Sequence, residues 1–140
     1  MWRVFKAYLL YTWGGLHRYF GNLNNIPHEH ERAVHYFTRA HNLNPAMHQA
    51  RFARAVILWR EMERVEEALA DFDALLQQDS TYAPALLNRA LVYQQIGKYE
   101  EALADLQTYL ALPPGDQFRD VAQRLEPLLR DLIHDANTRL

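Results

Sequence analysis

A chain of 140 residues is enough for one domain with a modest core, and a hydrophobic share of 49% excludes disorder of the whole. Fifteen basic and 17 acidic residues give a net charge of −2, so no concentrated basic face is available for nucleic-acid phosphates. Cysteine is absent, which excludes disulfides and thiolate metal sites and suits a reducing, cytoplasmic setting.

In chain order, Arg3 and Lys6 precede an apolar stretch from Ala7 to Leu16 that ends at His17-Arg18. A signal peptide has a similar outline, but no small-residue cleavage site follows. The stretch is also shorter than the roughly 20 residues that cross a bilayer, and it contains Tyr8, Tyr11, Thr12, Gly14 and Gly15. It reads as a first helix near 3–21. Trp2, Phe5, Leu9, Trp13, Leu16 and Phe20 form an apolar stripe on it, with Arg3, Lys6 and Arg18 nearby, so a membrane surface is one conceivable contact, though not the favoured one.

The next turn, Asn22 to Pro27, is long; Asn25 is placed to cap a second helix near 27–43, and Pro27 suits its first turn. His28, His30 and His35 cluster here with Glu29 and Glu31. On a helix Glu31 and His35 share a face while His28 and His30 do not share it, and H-E-x-x-H is absent, so the cluster reads as a solvated surface rather than a metal site.

Helices are then expected near 46–62, 65–79, 82–96 and 98–112. Pro45, Ser80 and the Pro-Pro-Gly run at 113–115 mark the breaks between units. Gly97-Lys98 supplies a tight turn with a positive φ, and the corresponding earlier turn carries one extra residue near Glu61. Asp116 is placed to cap a final helix with Phe118, Val121, Ala122 and Leu125 on one side; Pro127 is expected to kink or break it. Leu128, Leu129, Leu132 and Ile133 continue the apolar pattern.

The organising feature is a repeat. Glu66-Glu67-Ala68-Leu69-Ala70-Asp71 returns unchanged as Glu100-Glu101-Ala102-Leu103-Ala104-Asp105, so Ala68 and Ala102 lie 34 residues apart. Arg54-Ala55 matches Arg89-Ala90 at 35, and Ala33 matches Ala68 at 35. A period of this size belongs to stacked helix–turn–helix units. Small residues at Gly14, Ala55 and Ala90 on the first helices, and Ala33, Ala68 and Ala102 on the second, allow close approach. Trp13, Phe37, Phe72 and Leu106 are expected to fill the space between hairpins, each contributing about 1.5–3 kcal/mol when buried. The acidic pairs Glu66-Glu67 and Glu100-Glu101 sit at helix starts, where they complement the helix dipole.

These residues resemble the tetratricopeptide repeat (TPR). The last unit carries the pattern as Leu86, Ala90, Tyr93, Gly97, Tyr99, Ala102, Leu106 and Pro114; the middle one as Ala55, Leu58, Val65, Ala68, Phe72 and Leu75; the first as Leu10, Trp13, Gly14, Gly21, Ala33, Phe37, Ala40 and Pro45. The resemblance implies an all-α fold, a right-handed TPR helical-hairpin solenoid (an α-α superhelix). It divides a single domain of residues 1–140 into repeats at about 8–45, 46–80 and 81–115, with a capping helix at 116–138.

The resemblance further implies a concave face lined by the first helix of each unit. That face maps to Tyr8, Tyr11, Arg18 and Tyr19; to Phe52, Val56, Trp59 and Arg60; and to Leu87, Leu91, Gln94 and Gln95. Some TPR proteins grip a C-terminal carboxylate with Lys, Asn and Arg; the matching positions here hold Tyr11, Gly15, Val56 and Leu91, so that clamp is not carried over. Three occupants fit an apolar groove: a peptide or helix of a protein partner, the chain's own C-terminal helix, or a second copy in a homodimer. No nucleophilic cysteine, G-x-S-x-G or phosphate-binding glycine loop is present, so no enzyme activity and no cofactor are expected. The expected function is a non-enzymatic protein–protein interaction module, an adaptor or assembly scaffold.

Overall fold

The computed structural model describes residues 1–115 and 117–140. The described residues hold seven α-helices and no strand: α1 Trp2–Asn24, α2 Pro27–Leu43, α3 His48–Arg60, α4 Val65–Gln78, α5 Ala83–Gln95, α6 Tyr99–Ala111 and α7 Arg119–Thr138. They match the expected helices in order and, within three residues, in their bounds. The chain divides into two compact units, Met1–Leu75 and Leu76–Leu140.

In unit one, α1 and α2 run antiparallel. A side chain at Gly14 would place its Cβ 2.7 Å from the Phe37 ring, and one at Gly21 would place it 2.7 Å from the His30 ring. Ala7 and Ala40 meet at the other end, in a cluster with Leu10, Met47 and Ala50 that joins α1, α2 and the start of α3. A second cluster holds Ala33, Phe37, Ala53 and Ile57, and Tyr11 packs against both. Phe37 and Phe72 are fully buried, as the repeat pattern requires.

Two expectations for unit one are corrected. Trp13 does not fill space between hairpins; about half of it is exposed, because Gly14 next to it takes the inward position and turns Trp13 out. Asn25 does not cap α2. It closes α1 in the left-handed region (φ 50°, ψ 51°), a conformation Asn tolerates well, and Ile26 precedes α2 without a side-chain cap. Pro27 does open α2.

The turn between α3 and α4 shows where the extra residue went. Glu63 adopts φ 55° and the Arg64 N–H donates to the Leu58 carbonyl at 2.8 Å, a span of six residues. In unit two Gly97 adopts φ 80° and the Lys98 N–H donates to the Tyr93 carbonyl at 2.8 Å, a span of five.

The core of unit two gathers Leu86, Leu87 and Ala90 of α5, Ala102, Leu106 and Tyr109 of α6, and Ala122, Leu125 and Leu129 of α7. Helix α7 therefore covers this hairpin as a cap. The expected break at Pro127 does not occur, since α7 continues through it. Pro127 lies on the exposed side, between the buried anchors Leu125 and Leu129, and the carbonyl it leaves without a donor is that of exposed Gln123, within reach of water. Phe118 and Val121, expected on the covered side, are about half exposed. The expected cap Asp116 lies outside the described residues.

The two neighbouring glycines of α1 provide a paired test. Gly14→Ala should destabilise by about 1–3 kcal/mol through the clash with Phe37. Gly15→Ala meets nothing within 4 Å and should stabilise by about 0.5–1 kcal/mol through helix propensity. Urea midpoints that move the same way for both variants would contradict the packing of α1 on α2.

Candidate binding faces

The strongest polar feature recurs in both units. In unit one the Arg54 Nε–H donates to Asp71 Oδ2 at 2.7 Å, a second guanidinium N–H donates to Asp71 Oδ1, and a third reaches the Thr38 hydroxyl at 2.9 Å. In unit two the Arg89 Nε–H and Nη2–H donate to Asp105 at 2.7 Å each. Both carboxylates are buried. Each pair ties the first helix of a hairpin to the second by a bidentate fork, the strongest geometry for such a pair. Sequence reading did not assign these roles, although the signal was available: Arg54-Ala55 and Arg89-Ala90 are matched residues, and both Asp residues end the repeated six-residue string.

The first hairpin replaces this pair. Trp13 stands where Arg54 stands in the alignment, and Tyr36 stands where Asp71 stands. The His17 ring stacks on Tyr36 at 5.2 Å, nearly parallel, and its Nδ1 lies 2.5 Å from Glu29 Oε2. That contact, followed by the charges of His17, Arg32 and His28, holds the Glu29 carboxyl below its ordinary range against the opposing effect of burial. His30 is buried with Nε2 2.8 Å from Asn22 Oδ1, and His35 meets Tyr36 edge-on. Among the described residues no three His, Asp or Glu side chains converge on a point that would hold a metal ion.

On α1, Tyr8 and Tyr19 are exposed, Arg18 is half-buried, and half-buried Tyr11 meets the Phe37 ring at 5.6 Å. On α3, Phe52 and Trp59 are half-buried and lie seven residues apart, hence on one side of the helix; Val56 between them is buried. Exposed Arg60 holds its guanidinium 5.0 Å from the centre of the Trp59 ring, and Phe52 packs 6.1 Å from Phe72. Helices α1 and α3 are neighbours through Tyr11, Met47 and Ala50. In unit two Leu87 is buried, Leu91 and Gln94 are half-buried, and Gln95 is exposed. Leu87 belongs to the core and Leu91 packs against it, so α5 offers a more polar face than α3. A cleft of about 350 Å³ in unit one lies elsewhere, lined by residues that include Thr38, Arg54, Arg64 and Asp71.

The comparisons with known proteins agree with this architecture. The tetratricopeptide repeat model matches residues 28–83 and 60–117. The chain belongs to the TPR family. It is similar to the DnaJ homolog subfamily C member 7 homolog of Schizosaccharomyces pombe, 39% identical over 74 residues, covering 52% of this chain and 15% of that protein. It is also similar to mouse Sperm-associated antigen 1, 34% identical over 106 residues, covering 74% of this chain and 11% of that protein. The chain thus corresponds to a small part of the curated relatives it matches. Among solved structures, the first TPR domain of human RPAP3 superposes with a TM-score of 0.77 at 18% identity, over 98% of this chain and 99% of that one. The first TPR of Spaghetti, bound to the HSP90 peptide SRMEEVD, gives 0.74 at 20% identity over 92% and 94%. Among the described residues no helix is long and apolar enough to cross a membrane.

Removing one member of a repeated ion pair should be costly. Asp105→Ala removes both hydrogen bonds of the Arg89 fork and should lower stability by about 3 kcal/mol, whereas Glu100→Ala, at an exposed helix start, should cost well under about 1 kcal/mol. Similar denaturant midpoints for the two would show that the pair contributes little.

His41, buried at the end of α2, predicts a pH effect. Burial, then the charge of Arg51, pushes its imidazole below the ordinary value of 6.5, and Nδ1 has no hydrogen-bond partner. The unfolded chain then binds more protons than the folded one as pH falls through 6.5, so acidification destabilises the fold in that window. His41→Gln should flatten the fall in stability as the pH drops below about 6.5, measured by urea unfolding. An unchanged slope would mean that His41 is not the group responsible.

Proposed function

We propose that this chain is a non-enzymatic interaction module, an adaptor or assembly scaffold, and that unit one takes an apolar peptide or amphipathic helix on the face formed by α1 and α3. The observation that carries this reading is the pair Phe52 and Trp59, partly open on one side of α3, with Arg60 over the Trp59 ring. Partly open aromatic residues beside an arginine are the residue types that dominate binding hot spots. Tyr8, Tyr11 and Tyr19 extend the aromatic surface along α1, and Arg18 and Arg60 supply charge at its rim. Leu91, Gln94 and Gln95 on α5 are a separate, more polar candidate surface in unit two.

Peptide binding by TPR neighbours supports the class of ligand: the first TPR of Spaghetti is bound to the HSP90 peptide SRMEEVD, and the second TPR domain of human RPAP3 is in complex with the HSP70 peptide SGPTIEEVD. The residues here favour a different choice within that class. With Tyr11, Gly15 and Val56 on the α1 and α3 positions that would grip a terminal carboxylate, an acidic tail gains little, and an apolar segment gains burial. The lack of cysteine fits a cytoplasmic setting.

The test is fluorescence polarisation with two peptide sets, amphipathic Leu- and Phe-containing helices and acidic peptides ending in Glu-Glu-Val-Asp. Amphipathic peptides should bind more tightly. Trp59→Ala, shown by circular dichroism to be folded, should weaken them by more than about tenfold. Preference for the acidic peptides, or unchanged affinity in the folded variant, would refute this use of the α3 face.

A further inference from the structure

Helix α1 presents a second apolar surface beside the face it shares with α3, and the two overlap only at Tyr19. Ala7, Leu10, Gly14 and Gly21 are buried against the rest of unit one. Around the far side of the helix, Trp2, Leu9, Leu16 and Leu23 recur every seven residues, and Phe5 and Tyr19 follow the first and third of them by three. These side chains remain between 40% (Leu16) and 74% (Trp2) exposed. A seven-residue interval with a second position three residues on is the seam of two packed helices. Thr12 is the polar residue on this seam, and it stands at its middle.

We propose that α1 pairs with α1 of a second copy of this chain, antiparallel, about a two-fold axis beside Thr12 and Trp13. Three observations favour that occupant. The first is area. Together with Trp13 and Phe20, the seam offers eight large side chains about half exposed, on the order of 800 Å² in all, and a stable interface takes about 800 Å² from each partner. The second is complementarity. Antiparallel overlap of the seam and its flanking Phe20 sets Trp2 against Leu23, Phe5 against Phe20 and Leu9 against Leu16: a large residue against a smaller one, ring against ring, and leucine against leucine. The third is charge. A parallel pair would set Arg3 on Arg3 and Lys6 on Lys6, whereas the antiparallel pair sends these N-terminal bases to opposite ends and opposes the two helix dipoles. A bilayer is a poorer match. A helix lying on a membrane keeps a solvated, Lys- and Arg-rich face opposite its apolar one, and here the opposite face is occupied by α2.

Sedimentation equilibrium of the 140-residue chain should report twice the 16.5 kDa protomer mass. Leu9→Glu with Leu16→Glu changes only exposed positions, so the helical spectrum should persist while the dimer dissociation constant rises about 100-fold or more. Trp59→Ala should leave the dimer intact. Because the chain has no cysteine, single thiols report the geometry. Thr12→Cys should cross-link to itself on oxidation, and Trp2→Cys should not, but Trp2→Cys mixed with Leu23→Cys should. Self-cross-linking of Trp2→Cys would overturn the antiparallel arrangement. A monomer at all accessible concentrations would overturn the pairing, as would a dimer that survives both glutamates or dissociates with Trp59→Ala. Flotation of a monomeric chain with phosphatidylcholine–phosphatidylglycerol vesicles would assign the surface to a membrane instead.

Discussion

Close approach of the two helices within a hairpin is the constraint from which the rest of this structure follows. Gly14 in the first hairpin leaves no space for even a methyl group above the Phe37 ring. Ala33, Ala55, Ala68, Ala90 and Ala102 are all fully buried at the corresponding positions. Helices this near cannot place bulk between them, so volume moves to the flanks: Phe37, Phe72 and Leu106 fill the neighbouring layers to the density that protein interiors require. The flank also sets where polar groups can reach across. Arg54 and Arg89 stand immediately before the small residues Ala55 and Ala90, close enough for a forked contact with Asp71 and Asp105. A repeated residue pair of this kind locks the register of each hairpin as well as its spacing, since a slip of one residue would strand both charges.

The first hairpin keeps the close approach and abandons the ion pair. Trp13 and Tyr36 replace the arginine and the aspartate; Trp13 turns outward, and Tyr36 stacks under His17, which is tied to Glu29. This exchange frees α1 from the repeat pattern on its outer side. The helix reaches Asn24, ends on a left-handed asparagine, and carries aromatic and aliphatic side chains along its whole exposed length. The exposed stripe of α1 is open to another molecule. The α3 face differs in kind. It exposes part of two aromatic rings rather than whole side chains, and Arg60 on Trp59 gives it a polar edge. Whole-stripe exposure suits helix pairing over a large area, and a few anchored rings beside an arginine suit a short segment.

Much of the fold is written in spacing. The interval between the two copies of Glu-Glu-Ala-Leu-Ala-Asp implies helical hairpins, and the small residues within them identify which helix faces meet, because only Gly and Ala allow that separation. The glycine turn at Gly97 and the longer turn around Glu61 were equally legible, since a one-residue change in offset has to be absorbed where the chain leaves a helix. Other features were not. Asn25 fits the start of one helix and the end of another with equal ease, and local composition contains nothing to choose between them. Pro127 reads as a break by its own chemistry, yet buried Leu125 and Leu129 hold the helix on either side of it. The Arg–Asp pairs were present in the repeated strings, but a charge at a helix start and a charge at a helix flank look alike until the partner helix is in place.

The face of α1 that stays open belongs to the same category. Its sequence is apolar nearly all the way round: buried Leu10 has the same hydrophobicity as exposed Leu9 beside it and as exposed Leu16, about one and two-thirds turns further on. Periodicity establishes that the segment is a helix and that it packs on something, because backbone geometry repeats every 3.6 residues whatever surrounds it. It does not say which side packs. That side was selected when α2 docked over Gly14 and Gly21, the positions where its Phe37 and His30 rings find room, and every large residue opposite them was thereby left to solvent or to a partner.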